Sequence, residues 1–490
     1  MTERRGPALL LLAFLLGIGI FYTLTLRPGH DWGDDFAQYI HHAKNIATGV
    51  SYSQTGYIWN PRFPMLGPPT YPPVFPLMLA PVVAASGLAL TPMKGVVVAS
   101  FLLALLFVAL VFRSILAPRY LAVLLVLLGL NPYFWNLKDN ILSDLPFFLF
   151  VYIGLYLIQR RPEPAEGSGR VALHGIALGV AFYLAYGTRS LGIVLVPCAI
   201  AAEWLSRRRV GRGTGIAVLV FAALAGLQAA LAHKDSGYAG IVSVDPRRIA
   251  INLVEYARYL SGLWNNAWWG AADTLVLILV LVLAAMGFLA RLRARPGTLE
   301  IFTVLYGLAI LPWIATQGRY LIPLMPLYVG YALWAVQVAA KHSPARGRLI
   351  LAGLLVLALA GFCSVYLSTP LRRPSEGVGT PDAIALWGVV DRITRPGDVV
   401  IFQKPRALAL FANRSASGVS NTANDEETWQ YFESVRARYA ILGPDDHVFL
   451  NQDRIRRLVE ARPERFERVY ENPEFTMYRI RPDGEGAPGR

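Results

Sequence analysis

Long apolar runs separated by short, arginine-bearing polar segments fill the first three quarters of the chain. Runs near bilayer-spanning length, about 18 to 22 residues with their flanks, cover residues 8–26, 95–112, 120–135, 145–158, 171–186, 191–205, 214–232, 273–290, 299–316, 320–338 and 349–367. The pattern predicts roughly eleven membrane crossings. The first run is too long for a removable leader and has no small-residue cleavage site after it, so an anchor is expected. Residues 73–90 are also apolar, but Pro72, Pro73, Pro76 and Pro81 interrupt helix hydrogen bonding, and a re-entrant or tilted half-helix against the outer face is expected. Beyond about Thr369 the periodicity changes. It predicts helix over 382–393, strand over 398–403, helix over 427–438, strand over 439–442, helix over 452–461, and a hairpin pairing 466–470 with 475–480. The expected architecture is an all-α polytopic membrane bundle of about 11 spans plus a re-entrant segment, in residues 1–368, followed by a small soluble α/β domain, 369–490.

Composition sharpens this reading. A chain that is 55% hydrophobic and 16% charged, with mean hydropathy +0.43, has too little polar surface to cover one water-soluble globule. The net charge of +14 could suggest nucleic acid, but residues 370–490 carry 18 basic and 18 acidic side chains, so the surplus lies wholly in the membrane part. There it gathers in short loops, at Arg4/Arg5, Arg113/Arg119, Arg160/Arg161/Arg170, Arg207/Arg208/Arg209/Arg212, Arg291/Arg293/Arg295 and Lys341/Arg346/Arg348. This is positive-inside sorting, with the lipid bilayer as partner and nucleic acid excluded. It puts the N-terminus in the cytoplasm and residues 27–94, 136–144, 187–190, 233–272, 317–319 and everything after about 368 outside. Cys198 and Cys363 fall in apolar runs as small side chains, and no zinc spacing, repeat or glycine-rich phosphate loop is present.

The outer loop 27–94 carries the candidate chemistry. Residues 31–49 read as a short amphipathic helix capped by Asp34 and Asp35 and ended by Gly49. At a membrane mouth such a carboxylate can be desolvated toward the range of a general base. A rigid run, Pro68-Pro69-Thr70-Tyr71-Pro72-Pro73, follows. Isolated Arg189 and Arg319 at outer span ends offer planar forks for phosphate, with Lys138 and Arg62 behind them and snorkelling at helix ends as the plain alternative. His41 and His42, about 100° apart on a helix, do not form a chelating pair. Trp264, Trp268 and Trp269 suit an interfacial belt, or a sugar-stacking platform.

The acidic pair with Tyr39 and Gly49, the Tyr71-Pro72-Pro73 segment, Leu142-Ser143-Asp144-Leu145-Pro146, Gly187-Thr188-Arg189-Ser190 and Gly318-Arg319-Tyr320-Leu321-Ile322-Pro323 together resemble the C-type (GT-C) membrane glycosyltransferases. The similar branch contains the protein O-mannosyltransferases and bacterial aminoarabinose transferases. The resemblance implies inverting transfer of a sugar from a polyprenyl-phosphate carrier to a hydroxyl of a lipid, glycan or protein, on the non-cytoplasmic side of a bacterial inner membrane. It implies Asp34 as catalytic base, Asp35 where the family more often has Glu, Asp144 as a second acid near the donor, and Tyr39, Tyr71 and Tyr320 at the substrate. No cofactor is expected, and a divalent metal is left open. The alternative is a transporter or lipid flippase, which should show internal repeats and mid-span charges; here the charges gather at span ends. The soluble tail has no catalytic constellation of its own and reads as a lid or docking module.

Overall fold

The computed structural model describes residues 5–63, 66–163, 167–231, 244–264, 267, 272–294, 296–313, 316–420, 424–444, 449 and 452–481. Its first part is helical: α1 Arg5–Leu24, α2 Asp35–Thr48, α3 Val74–Ser86, α4 Leu90–Phe112, α5 Pro118–Gly129, α6 Pro132–Leu137, α7 Asp144–Gln159, α8 Ser168–Tyr186, α9 Leu195–Arg207, α10 Arg212–Leu231, α11 Pro246–Ser261, α12 Ala272–Ala294, α13 Thr298–Ile310, α14 Met325–His342 and α15 Pro344–Ser368. Among the described residues, eight helical stretches are long and apolar enough to cross a membrane, and α3, α5, α7 and α13 are shorter apolar helices. Each expected apolar run thus carries helix among its described residues, although the run 299–316 is helical only as far as Ile310. The run 120–135 is broken, because the Asn131 side chain accepts the Tyr133 N–H and Pro132 opens a new helix, α6.

The proline-rich stretch forms one continuous helix, α3, with Pro81 inside it. Pro76 sits in the first turn, where N–H groups have no intrahelical partner, so only Pro81 costs the helix a bond. At about 1.5 Å per residue its 13 residues span roughly 20 Å, short of an approximately 30 Å hydrocarbon core. Trp264 is buried and donates to the Tyr328 hydroxyl at 3.2 Å, so it packs inside the bundle instead of lying in a belt. Trp268 and Trp269 lie outside the described residues.

The C-terminal part consists of α16 Pro381–Ile393, β1 Val399–Ile401, α17 Pro405–Phe411, β2 Ser415–Ser417, α18 Asp425–Ser434, β3 Ala437–Leu442, α19 Asp453–Ala461, β4 Phe466–Glu471 and β5 Thr476–Ile480. The five strands form one mixed sheet in the order β2-β1-β3-β5-β4. The neighbours of β1 are parallel to it, and β5 is antiparallel to β3 and β4. The expected helix 427–438 starts earlier, at a capping box made by Asn424 and Glu427, and stops where Arg436 turns to φ 53°. The elements α17 and β2 were not expected, and they carry the contact with the first outer loop.

That contact is extensive. Backbone of the loop pairs with the edge strand β2: Ile58 N–H donates to Ala416 O at 2.8 Å, and Ala416 N–H to Gly56 O at 3.0 Å. Trp32 plugs into an aromatic cage of Trp387, Phe402, Phe449 and Phe475, with ring centroids 5.3 to 6.2 Å away. One hydrophobic core therefore runs from the bundle into the sheet. Trp32→Ala should cost roughly 3 to 5 kcal/mol. It should lower the thermal midpoint and open the 56–58 strand pairing to protease. A shared compartment also follows: cysteines introduced at the exposed positions Ser51 and Gln430 should label from one side of intact vesicles, and one at Arg209 from the other.

Candidate active site

Three regions of the membrane part meet at one cavity of about 140 Å³. The first loop contributes Asp35, Tyr39, Gly67 and Tyr71, the turn before α9 contributes Thr188 and Arg189, and the segment before α14 contributes Trp313, Arg319 and Tyr320. Asp35, the first residue of α2, is 27% exposed. Its Oδ1 accepts the Tyr71 hydroxyl at 2.7 Å and Nη1 of Arg406 at 3.0 Å, and its Oδ2 accepts Nη2 of Arg319 at 2.9 Å. Burial alone would raise its pKa, but Arg319 and Arg406, with the Tyr71 hydroxyl, hold the carboxyl well below the usual range.

Asp34 turns the other way. It is buried, does not line the cavity, and makes no side-chain cap bond to its own helix. Its Oδ1 accepts the backbone N–H groups of Arg406 at 3.2 Å and Ala407 at 3.1 Å instead. These are the first two N–H groups of α17, since Pro405 at its start has none. The expected self-capping is thus replaced by capping across to the C-terminal part. Burial pushes the Asp34 carboxyl up to about 6, and its like-charged neighbour Asp35 adds to the rise, against the pull of Arg406 and Lys404.

Behind the cavity Asp144 begins α7 and is 2% exposed. Its Oδ1 lies 2.9 Å from Nη2 of Arg189, and its Oδ2 3.9 Å from Nη1 of Arg319. Arg189 donates Nε–H to Ser143 Oγ at 2.9 Å, Ser143 Oγ lies 2.8 Å from the Tyr39 hydroxyl, and the guanidinium sits 5.8 Å from the Tyr320 ring centre. Arg319 also donates to Gln317. Each guanidinium has five N–H groups, and the hydrogen bonds described use one on Arg189 and two on Arg319.

The comparisons with known proteins agree on the architecture. No family model and no curated protein sequence matches the chain. ArnT from Cupriavidus metallidurans bound to undecaprenyl phosphate superposes with TM-score 0.63 at 14% identity, covering 98% of this chain and 99% of that one. The fold is that of ArnT. The ArnT apo state gives TM-score 0.62 at 14% identity, covering 98% of each chain. The oligosaccharyltransferase AglB from Archaeoglobus fulgidus, in complex with an inhibitory peptide and a dolichol-phosphate, gives 0.56 at 11% identity, over 90% of this chain and 70% of that one. ArnT, an aminoarabinose transferase, and AglB are both GT-C membrane proteins, so the expected fold class holds.

Within this ArnT-like frame most of the expected residues converge. Asp35, Tyr39, Tyr71, Arg189, Arg319 and Tyr320 line the cavity, with Asp144 just behind. Three do not reach it. Asp34 faces α17; Arg62 is exposed on the loop beside Asn60 and Glu427. Lys138 is fully buried against Asp139 at 2.6 Å and the Trp135 ring at 4.0 Å. Asp139 there also takes Arg27 and Lys94, a cluster that ties α4 to the start of the first loop. His42 accepts the Tyr71 N–H at 3.2 Å and donates to Tyr52 O at 2.8 Å, holding the proline-rich run against α2. Among the described residues no cluster of three His, Cys, Asp or Glu side chains is placed to hold a metal ion. Arg406 was not anticipated at all: nothing in the local sequence KPRALAL marks it as a partner of Asp35, 371 positions away.

Asp34 gives a direct test of the capping geometry. Asp34→Leu leaves two buried N–H groups unpaired and should cost roughly 1 to 3 kcal/mol, whereas Asp34→Asn keeps an acceptor oxygen and should cost little. The carboxyl titrates near 6 when folded, against 3.8 ordinarily. Between these values the folded chain binds more protons than the unfolded one, so this contribution to stability falls as pH rises from about 4 to 6. The thermal midpoint of Asp34→Asn should therefore gain on the unaltered chain across that window.

Proposed function

We propose that this integral membrane protein is an inverting glycosyltransferase that moves a sugar from a polyprenyl-phosphate carrier to an acceptor hydroxyl on the non-cytoplasmic face. The observation that carries this reading is one cavity lined by a carboxylate, Asp35, and by two guanidiniums, Arg189 and Arg319, of which Arg319 is paired with Asp35. A sugar on a lipid phosphate already has an activated leaving group, so the reaction needs one proton acceptor and cations for the departing phosphate. The polyprenyl phosphates bound by ArnT and AglB support that class of donor.

In this reading the acceptor hydroxyl attacks the anomeric carbon from the side opposite the phosphate. The new C–O bond forms as the bond to the phosphate oxygen breaks, the hydroxyl proton passes to Asp35, and the phosphate leaves with the bonding pair against Arg189 and Arg319. A single displacement inverts the anomeric centre. Asp144 keeps both arginines in place. Asp35 takes the part that the family resemblance gave to Asp34, because the Oδ1 of Asp34 is committed to two N–H groups of α17 and its carboxylate lies outside the cavity.

Purified protein incubated with a panel of labelled polyprenyl-phosphate sugars and acceptors should release label from one donor class; no release from any would refute the reading. Asp35→Asn should lower turnover by roughly 10² to 10⁴ with little change in donor affinity, while Asp34→Asn retains most activity. The reverse order would return the base to Asp34. Arg189→Gln and Arg319→Gln should each weaken donor binding by roughly 1 to 3 kcal/mol, and unchanged affinity in both would remove them from the phosphate site.

A further inference from the structure

Asp35 is held by two arginines of different origin. Arg319 comes from the membrane helices and lines the cavity; Arg406 comes from α17 in the C-terminal part and does not. Arg406 is 1% exposed, and its guanidinium donates to Asp35 Oδ1 at 3.0 Å, the Tyr71 hydroxyl at 2.7 Å and Pro68 O at 3.2 Å. The Tyr57 and Tyr71 rings flank it at 4.7 and 5.0 Å. Gly67, at φ 93°, lets the loop close over it, since a Cβ there would stand 2.8 Å from Nη2.

We propose that Arg406 is a positioning residue for the transfer reaction: through it the docked C-terminal part fixes the Asp35 carboxylate for proton transfer and leaves Arg319 available to the donor phosphate. The inference rests on the reading of Asp35 as the proton acceptor.

Adhesion alone does not explain the arrangement. The C-terminal part is already attached by the β2 pairing, the Trp32 plug and the N–H groups given to Asp34. Burying a guanidinium costs several kcal/mol unless its partners are well placed, so adhesion would be served better by an apolar side chain. What the guanidinium adds is a charge and a fork directed at Asp35. With Arg319 as sole cation, turning that guanidinium toward a phosphate would leave the half-buried Asp35 carboxylate with only the Tyr71 hydroxyl as a partner. With Arg406 in place, Arg319 can serve both anions.

The groups facing Asp35 are Arg319, Arg406, the Tyr71 hydroxyl, Tyr39 and Asp34. Arg406 is one of the two cations that lower the pKa of Asp35, so its loss should raise that pKa and move the acidic limb of kcat to higher pH.

The test uses the full-length chain in lipid nanodiscs, with Arg406→Gln, Arg406→Lys and, to assign the carboxyl band, Asp35→Asn. Three readouts are taken: kcat against pH, donor KM, and titration of Asp35 by difference infrared spectroscopy. Arg406→Gln should lower kcat about 10- to 100-fold near neutral pH, with donor KM within about threefold. It should move the acidic limb and the Asp35 titration upward together. Arg406→Lys keeps the charge without the fork, so kcat should be partly restored and the titration should move less. If Arg406→Gln fails to assemble, Arg406→Lys decides: a fall in kcat at constant donor KM supports the role, and full kcat overturns it. An unmoved Asp35 titration in a folded Arg406→Gln variant also overturns it. The infrared titration needs no turnover. A chain that transfers no sugar yet shows the shift keeps the Arg406–Asp35 link and loses only the proposed reaction, whereas active protein with no shift loses the Arg406 role alone.

Discussion

Two neighbouring carboxylates, Asp34 almost wholly and Asp35 in part, are withdrawn from water in the folded chain, and the arrangement around them follows from what that would cost if they were unpaired. Each is met by a different solution. Asp34 receives two backbone N–H groups from the start of α17, and Asp35 receives two guanidiniums and a phenol. Both solutions require residue 406 to return to residue 34. Docking of the C-terminal part is therefore a condition for burying the acidic pair, and the burial in turn holds that part against the bundle.

From Asp35 the ionic contacts continue inward. Arg319 reaches toward Asp144, Asp144 pairs with Arg189, and Arg189 binds Ser143, which meets Tyr39 of the same helix that Asp35 begins. The closed circuit joins α2, α7 and the turns before α9 and α14. Each group in the circuit is restrained through its neighbours, and such preorganisation is what makes charges effective on a reacting centre. Packed helices supply the frame, and the circuit sets the aim of each side chain within it.

Much of this was legible in the sequence, for identifiable reasons. Spans are written in runs of apolar residues, so each expected run carries helix among its described residues; the hairpin 466–480 was visible from strand alternation around Asn472-Pro473. Arg189 and Arg319 stood out as isolated arginines at span ends, and Asp144 through the family resemblance. Two features were hidden. The elements α17 and β2 have only seven and three residues, too short to show a period, and their partners, β1 and the first loop, are brought to them only by the fold. Arg406 sits in an ordinary surface-like sequence, and only the fold brings it to Asp35. Lys138 and Arg62 were over-read for the opposite reason: a cation near an outer face satisfies the same sequence criterion whether it points to a cavity, to a buried aspartate or to water.

The division between Asp34 and Asp35 shows why an acidic pair is hard to apportion from sequence. Consecutive positions at the start of a helix point about 100° apart, so if one carboxylate enters a cavity the other points elsewhere. Either could be the one inside, and local sequence does not distinguish them. The deciding fact is non-local: α17 offers N–H groups to one and a guanidinium to the other. Three carboxylates, Asp34, Asp35 and Asp144, are each met by at least one of three guanidiniums, Arg189, Arg319 and Arg406, with Lys404 also acting on Asp34. In the proposed reaction, an arriving phosphate would be accommodated by N–H groups that the carboxylates do not use. Guanidinium suits that demand because it spreads five donors over one plane, whereas the ammonium of lysine offers three from a single atom.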